Sequence, residues 1–166
     1  MHSVGRSKII ERSVRHPSVG MDLRIIDDGL EVLGENECRE LLTTVNIGRV
    51  AISIGAVPAV FPTHFVVDGV DIVLLTGDGL KLRAALDGTV VAFEADHIDD
   101  ARRLGWSVLA IGRSSGSAEP HEVARARSLG VRPLAPGPRN RVVRIRVELL
   151  SGRRFEFPAT STAPVR

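Results

Sequence analysis

Thr76 and Lys81 sit in the stretch "TGDGLKLRAAL" (76–86), where two glycines in a short loop precede a lysine and then a helical pattern. The chain uses 20 arginines but only two lysines, Lys8 and Lys81, so the choice of lysine here is unusual for this sequence. The stretch is not a P-loop, because the Gly-Lys-Ser/Thr ending is absent. It is not a dinucleotide fingerprint, because Leu82 stands where the third glycine belongs. What the residues can do is seat an anion. Thr76 offers a hydroxyl at a strand end, Gly79 lets backbone N–H groups approach a ligand, and Lys81 adds a compact charge at the positive end of a helix dipole. On spacing alone a turn with a solvated lysine is the favoured outcome, since helix N-termini are common and most bind nothing.

Other constellations point to chemistry less strongly. "GRSSG" (112–116) has the Gly-x-Ser-x-Gly spacing of a nucleophile elbow, but the elbow needs a helix to begin at the serine. Here Ser117 and Pro120 start the helix several residues later, and His121 is too near in sequence to complete an ordinary triad. A turn is expected instead. "EADHIDD" (94–100) gathers Glu94, Asp96, His97, Asp99 and Asp100, oxygens that a hard cation could use. A solvated loop with strand-end carboxylates is expected there, and no metal site is assigned. His64 lies two residues after Pro62, beside the strand break expected there, and either lines an opening or is a plain sheet histidine; spacing leaves both open. Cys38 falls on an apolar helix stripe and reads as a core filler. Trp106 begins a strand and reads as core or interface packing.

The elements that must position these groups follow from periodicity. Cys38, Leu41, Leu42 and Val45 mark one face of a helix at 35–46, started by Glu35 and Glu37. "GRVAISI" (48–54) alternates as a strand. A turn at 55–58 leads to a second strand at 59–67, where Pro62 belongs at an edge, bulge or opening. "DGVD" (68–71) is a turn, and "IVLLT" (72–76) is a third strand. A short helix is expected at 80–86. "TVVAFEA" (89–95) is apolar on both faces and reads as a central strand, followed by a polar loop at 96–105. A strand at 106–112, a helix at 120–130, a Pro-rich loop at 132–140 and a final strand or hairpin at 141–157 complete the pattern. The expected class is mainly β (α+β), with about six strands and three short helices. A small antiparallel barrel is its natural closure, because it removes sheet edges.

Composition bounds the rest. At 166 residues the chain suits one domain, placed at 25–157, with flexible tails at 1–24 and 158–166. No apolar run approaches a membrane span, and the N-terminus lacks an apolar signal core, so a cytoplasmic location is expected. A single cysteine excludes an internal disulfide and fits a reducing compartment. Residues 1–24 carry five basic and two acidic groups, residues 25–124 seven and sixteen, and residues 125–166 ten and two. The basic ends could attract polyanions or pair with the acidic middle, within one chain or across a dimer, and the pairing is preferred. With no tyrosine, five Phe and one Trp, the aromatics that single-stranded nucleic acid needs are scarce, so nucleic-acid binding is not expected.

Taken together and in order, "LGENECRELLTTVNIGRVA", "PAVFPTHFVVDG", "LLTGDGLKLRAAL", "VVAFEAD" and "GWSVLAIGRS" resemble the split-barrel flavin-binding superfamily that contains pyridoxamine phosphate oxidase. The resemblance covers 33–113 and is nearest the nitroimidazole-reductase-like branch. It implies a six-stranded split barrel and a homodimer with FMN across the subunit interface. Thr76 and Lys81 match the phosphate-binding positions. Val60, Phe61, Pro62 and Thr63 match the stretch whose backbone faces the isoalloxazine edge. Trp106 and Ser107 match positions reaching the cofactor from the partner subunit. His64 stands where an Asn is common, close to the expected flavin ring, and is the candidate proton donor. Two departures stand out: Leu80 replaces an Arg that precedes the Lys in the oxidases, and their C-terminal Trp and Arg have no match. The implied function is an FMN-dependent oxidoreductase of a small-molecule substrate. The alternatives are a deazaflavin-dependent reductase on the same barrel, for which Arg49 or Arg83 could hold the longer anionic tail, and a non-catalytic flavin- or haem-binding dimeric module.

Overall fold

The computed structural model describes residues 30–79 and 88–156. The chain divides into two units, residues 1–30 and 31–166, and the second holds every described strand and helix. The expected tails at 1–24 and 158–166, and the expected helix at 80–86 with Lys81, lie outside the described residues.

The elements run β1 (Glu31–Leu33), α1 (Glu35–Thr44), β2 (Ile47–Ile54), β3 (Val57–Asp68), β4 (Asp71–Thr76), β5 (Val90–Asp99), β6 (Leu104–Ser117), α2 (Pro120–Ser128) and β7 (Arg141–Glu156). The strands form one antiparallel sheet in the order β1-β7-β4-β3-β2-β5-β6, and β6 pairs back onto β7. That last pairing closes β2 to β7 into a barrel, the mainly β architecture expected from the alternating patterns. The sheet has seven strands rather than six. The extra one, β1, is three residues long and pairs with the far half of β7 through Leu33 and Gly152. A segment so short shows no periodicity of its own.

Alternation sorts the side chains. Val50 and Ile52 of β2, Phe65 of β3, Ile72 and Leu74 of β4, Val91 and Phe93 of β5, Val108 of β6 and Ile145 of β7 fill the barrel. The Phe65 and Phe93 rings meet edge to face with centroids 4.7 Å apart, a geometry worth about 1 kcal/mol beyond the area buried. Cys38 and Leu42 of α1 pack onto this core. Gly152 lies beneath the thiol, so close that a Cβ there would be 2.6 Å from the Cys38 sulfur. Burial pushes the Cys38 thiol pKa up, which keeps it protonated and apolar in character. A second, smaller core lies outside the barrel, where Val123 and Ala126 of α2 cover Val73, Leu75 and Val142. The strand buried on both faces is therefore β4. β5, expected to be central, buries only Val91, Phe93 and Ala95, and leaves Val90 exposed on its outer side.

Two further expectations change. The polar loop at 96–105 shrinks to a turn, because β5 continues to Asp99 and pairs with the start of β6. "GRSSG" is not a turn but part of β6, held by β5 on one side as far as Arg113 and by β7 on the other as far as Ser117. Its glycine is a close-approach residue: the β6–β7 register slips between Ile111 and Gly112, and a Cβ on Gly112 would be 1.9 Å from the Arg146 carbonyl oxygen. Of the strand or hairpin expected at 141–157, the structure shows one long strand, Arg141–Glu156. Among the described residues no helix is long and apolar enough to cross a membrane.

Candidate functional site

The barrel interior is full. The space between Val50, Ile52, Leu74, Val91, Ser114, Val143 and Ile145 is about 10 Å³, no more than one water needs. Among the described residues the barrel interior therefore offers no room for a ligand.

On the outside, a groove of about 670 Å³ opens where the start of β2 and the middle of β3 meet the chain leaving α2. Its walls are Asn46, Ile47, His64, Val66, Gly130, Arg132, Pro133 and Leu134. β3 presents Val60, Pro62 and His64 outward, while Phe61, Thr63 and Phe65 point into the barrel. His64 is opposite Ile47 in the β2–β3 ladder, so both reach the groove from adjacent strands. The far wall is held by α2: the Val131 N–H donates to the Ala126 carbonyl at 3.1 Å, and the Arg132 N–H donates to His64 Nδ1 at 3.2 Å. With Nδ1 accepting, the proton of the neutral ring sits on Nε2. Burial, and then the nearby Arg132 charge, lower the His64 pKa below its ordinary value, so the ring is neutral near pH 7.

The other sequence-derived candidates fall into separate places. Val60 is 60% exposed and Pro62 is exposed, on the same outer face as His64. Phe61 packs against the core, and buried Thr63 turns its hydroxyl to the His64 carbonyl at 3.3 Å. Trp106 is in the core, not on the outer face. Ser107 faces outward on β6, three strands from β3 along the sheet, about 14 Å at ordinary strand spacing. Thr76 is buried at the end of β4. Of these residues only His64 lines the groove; Val60 and Pro62 share its outward face on β3, and Ser107 stands apart.

Sequence reasoning missed two arginines. Arg139 rests on the backbone that follows Thr76: a Cβ on Gly77 would be 2.6 Å from Arg139 Nη1. Arg132 lines the groove. Both belong to the Pro-rich loop after α2, which has no periodicity to place it.

Three of the four carboxylates of "EADHIDD" are engaged by arginines. Arg49 Nη1 donates to Glu94 at 2.9 Å and also bonds Asp96, and Asp99 accepts the Arg102 N–H at 2.9 Å. Burial still pushes the Glu94 pKa up, ahead of the opposing pull from Arg49. Among the described residues no three His, Cys, Asp or Glu side chains gather as metal ligands. Three of the five arginines of β7 also pair within the chain: Arg141 with Asp78, Arg144 with Asp68 and Asp71, and Arg154 with Glu31 and Glu37. Arg144 and Arg125 together hold the Asp68 carboxyl below the usual carboxylate range. The C-terminal positive charge is thus met, at these residues, by the acidic middle of the chain.

The chain matches known proteins over this same barrel. The uncharacterised protein Rv0080 of Mycobacterium tuberculosis is 38% identical over 128 residues, covering 74% of this chain and 84% of its own. A crystal structure of a Corynebacterium glutamicum protein, provisionally named a pyridoxamine 5'-phosphate oxidase, superposes with a TM-score of 0.66 at 28% identity, over 80% of this chain and 98% of that one. The structure of the FAD binding protein from Mycobacterium smegmatis superposes with a TM-score of 0.61 at 29% identity, over 76% and 98%. The family model described as pyridoxamine 5'-phosphate oxidase matches residues 34–154, from the start of α1 almost to the end of β7. With most of its length inside that match, this chain belongs to the pyridoxamine 5'-phosphate oxidase family.

Proposed function

We propose that the protein is a flavin-binding oxidoreductase that uses FMN to reduce a small molecule at a site completed by a second copy of the chain. The observation that carries this is the placement of Val60, Pro62 and His64. The family resemblance puts the backbone of Val60, Phe61, Pro62 and Thr63 against the flavin ring edge and His64 close to the ring. Val60, Pro62 and His64 stand outward on the strand that borders the groove, and His64 lines it. A relative at 29% identity described as an FAD binding protein supports a flavin over other cofactors. The filled barrel leaves the outer face as the place for the ring.

The flavin, when bound, supplies the electron transfer. This chain supplies position and charge. Thr76 and Lys81 would hold the phosphate. Arg139, on the Gly77 backbone, brings a guanidinium to the same strand end and serves in place of the arginine that Leu80 replaces. The outward residues of β3 would flank the ring edge, and neutral His64 holds a proton at Nε2 from which it can donate.

A row of apolar residues crosses the outer face from strand to strand: Val60, Ala51, Ala92, Ile111 and Leu149 are successive ladder partners. Such a row suits a self-complementary contact. In a dimer built on it, Ser107 of one chain would approach the cofactor of the other.

Lys81→Ala tests the phosphate seat. Titration with FMN and with riboflavin should show FMN affinity lowered about tenfold to a hundredfold, with riboflavin affinity unchanged. Equal losses for both would place the phosphate elsewhere.

A further inference from the structure

The groove that His64 lines carries an uneven charge. Its polar walls are Asn46, His64 and Arg132, and none of its lining residues is acidic. Elsewhere on α2 and its following loop, Arg125 pairs with Asp68 at 3.0 Å, while Arg127 and Arg139 donate to the Arg139 and Pro136 carbonyls at 3.4 and 3.2 Å. Among the described residues no carboxylate lies within salt-bridge distance of the Arg132 guanidinium. Its charge nevertheless acts on His64, which it helps to keep neutral. His64 cannot accept an additional proton donor at Nδ1, because that atom already accepts the Arg132 backbone N–H. It therefore offers the groove a donor, Nε2–H, beside a cation. Around these donors the walls are apolar: Ile47 and Val66 on one side, Pro133 and Leu134 on the other. Two donors, one of them charged, stand beside apolar side chains on an open groove of about 670 Å³, where convergent polar groups can orient a small ligand.

We propose that this groove binds a flat organic carboxylate, its anionic end on Arg132 and His64 and its ring system between Ile47, Val66 and Leu134. An aromatic or conjugated acid fits both halves of the site; a cation meets Arg132 repulsion, and a neutral ring leaves the guanidinium unpaired. The inference builds on the oxidoreductase reading in naming such an acid as its substrate class. Its binding step needs no flavin.

The test is calorimetric titration of the full-length protein with 2-naphthoate and with 2-naphthamide, which share shape but not charge. Naphthoate should bind at least about tenfold more tightly. Arg132→Gln should remove that preference and leave naphthamide affinity unchanged, and Arg132→Lys should restore part of it. The backbone N–H that anchors the loop to His64 is retained in both variants. Equal affinity for the two ligands, no binding of either, or an unaltered preference in Arg132→Gln would overturn the proposal. A protein that prefers naphthoate but takes up no FMN would retain the anion groove and lose the flavoenzyme reading.

Discussion

His64 is held neutral by burial and by the Arg132 charge, and that has a consequence for stability. Its pKa in the folded protein lies below the 6.5 of an unperturbed histidine. Between those two values the unfolded chain binds more protons, so stability rises with pH across that window. It is fully present above 6.5 and is lost as pH falls toward the folded-state value. Protonation also costs the Nδ1 acceptor for the Arg132 N–H. Urea unfolding of wild type and His64→Asn at about pH 7.5 and about pH 5.5 should show the wild type losing more stability than the variant at the lower pH. Parallel losses would mean that His64 does not anchor the loop. The sequence marked His64 by its place two residues after Pro62 but left its role open. Arg132 left no mark at all: it belongs to a segment without periodicity, and the hydrogen bond linking it to His64 spans 68 positions. Thr76 was legible as a strand-end hydroxyl, while Arg139 over Gly77 emerged only when β7 was placed beside β4.

At the scale of elements, what alternation could carry was legible. β2, β3 and β4 occupy nearly their expected ranges because Val50 and Ile52, Phe65, and Ile72 and Leu74 repeat on one face. Glycine and serine misled where long-range pairing overrides local turn propensity. "GRSSG" lies within β6 because both neighbouring strands hold it, and a Cβ on Gly152 within β7 would be 2.6 Å from the Cys38 sulfur. Gly112 is the sharper case, since any side chain meets the Arg146 backbone, which cannot rotate away. Gly112→Ala should therefore cost at least about 2 kcal/mol, read from the midpoint of urea unfolding. Gly79→Ala, at a position with nothing within 4 Å of the added Cβ, is the control and should change little. A neutral Gly112→Ala would mean that the β6–β7 slip relaxes freely.

For the whole molecule, the barrel and its family were legible because several short patterns occurred in the right order. The strand β4 was harder to place as the doubly buried one, because α2, which covers its outer face, comes from much later in the chain. The outer row of Val60, Ala51, Ala92, Ile111 and Leu149 is a property of register and appears only once the strands are paired. If a second copy covers it, light scattering should give twice the 17.9 kDa chain mass. Ala92→Arg, with its side chain on the outer face, should then give single chains that retain their fold by circular dichroism but bind FMN more weakly. A wild type of single-chain mass would remove the shared site.

The flavin itself is the most direct test. Purified wild-type protein titrated against FMN, followed by the visible absorption band and flavin fluorescence, should show a band shift and a saturable fluorescence change ending at one flavin per chain. Spectra that remain the simple sum of free FMN and protein at every ratio would contradict a flavin site on the outer face of β3.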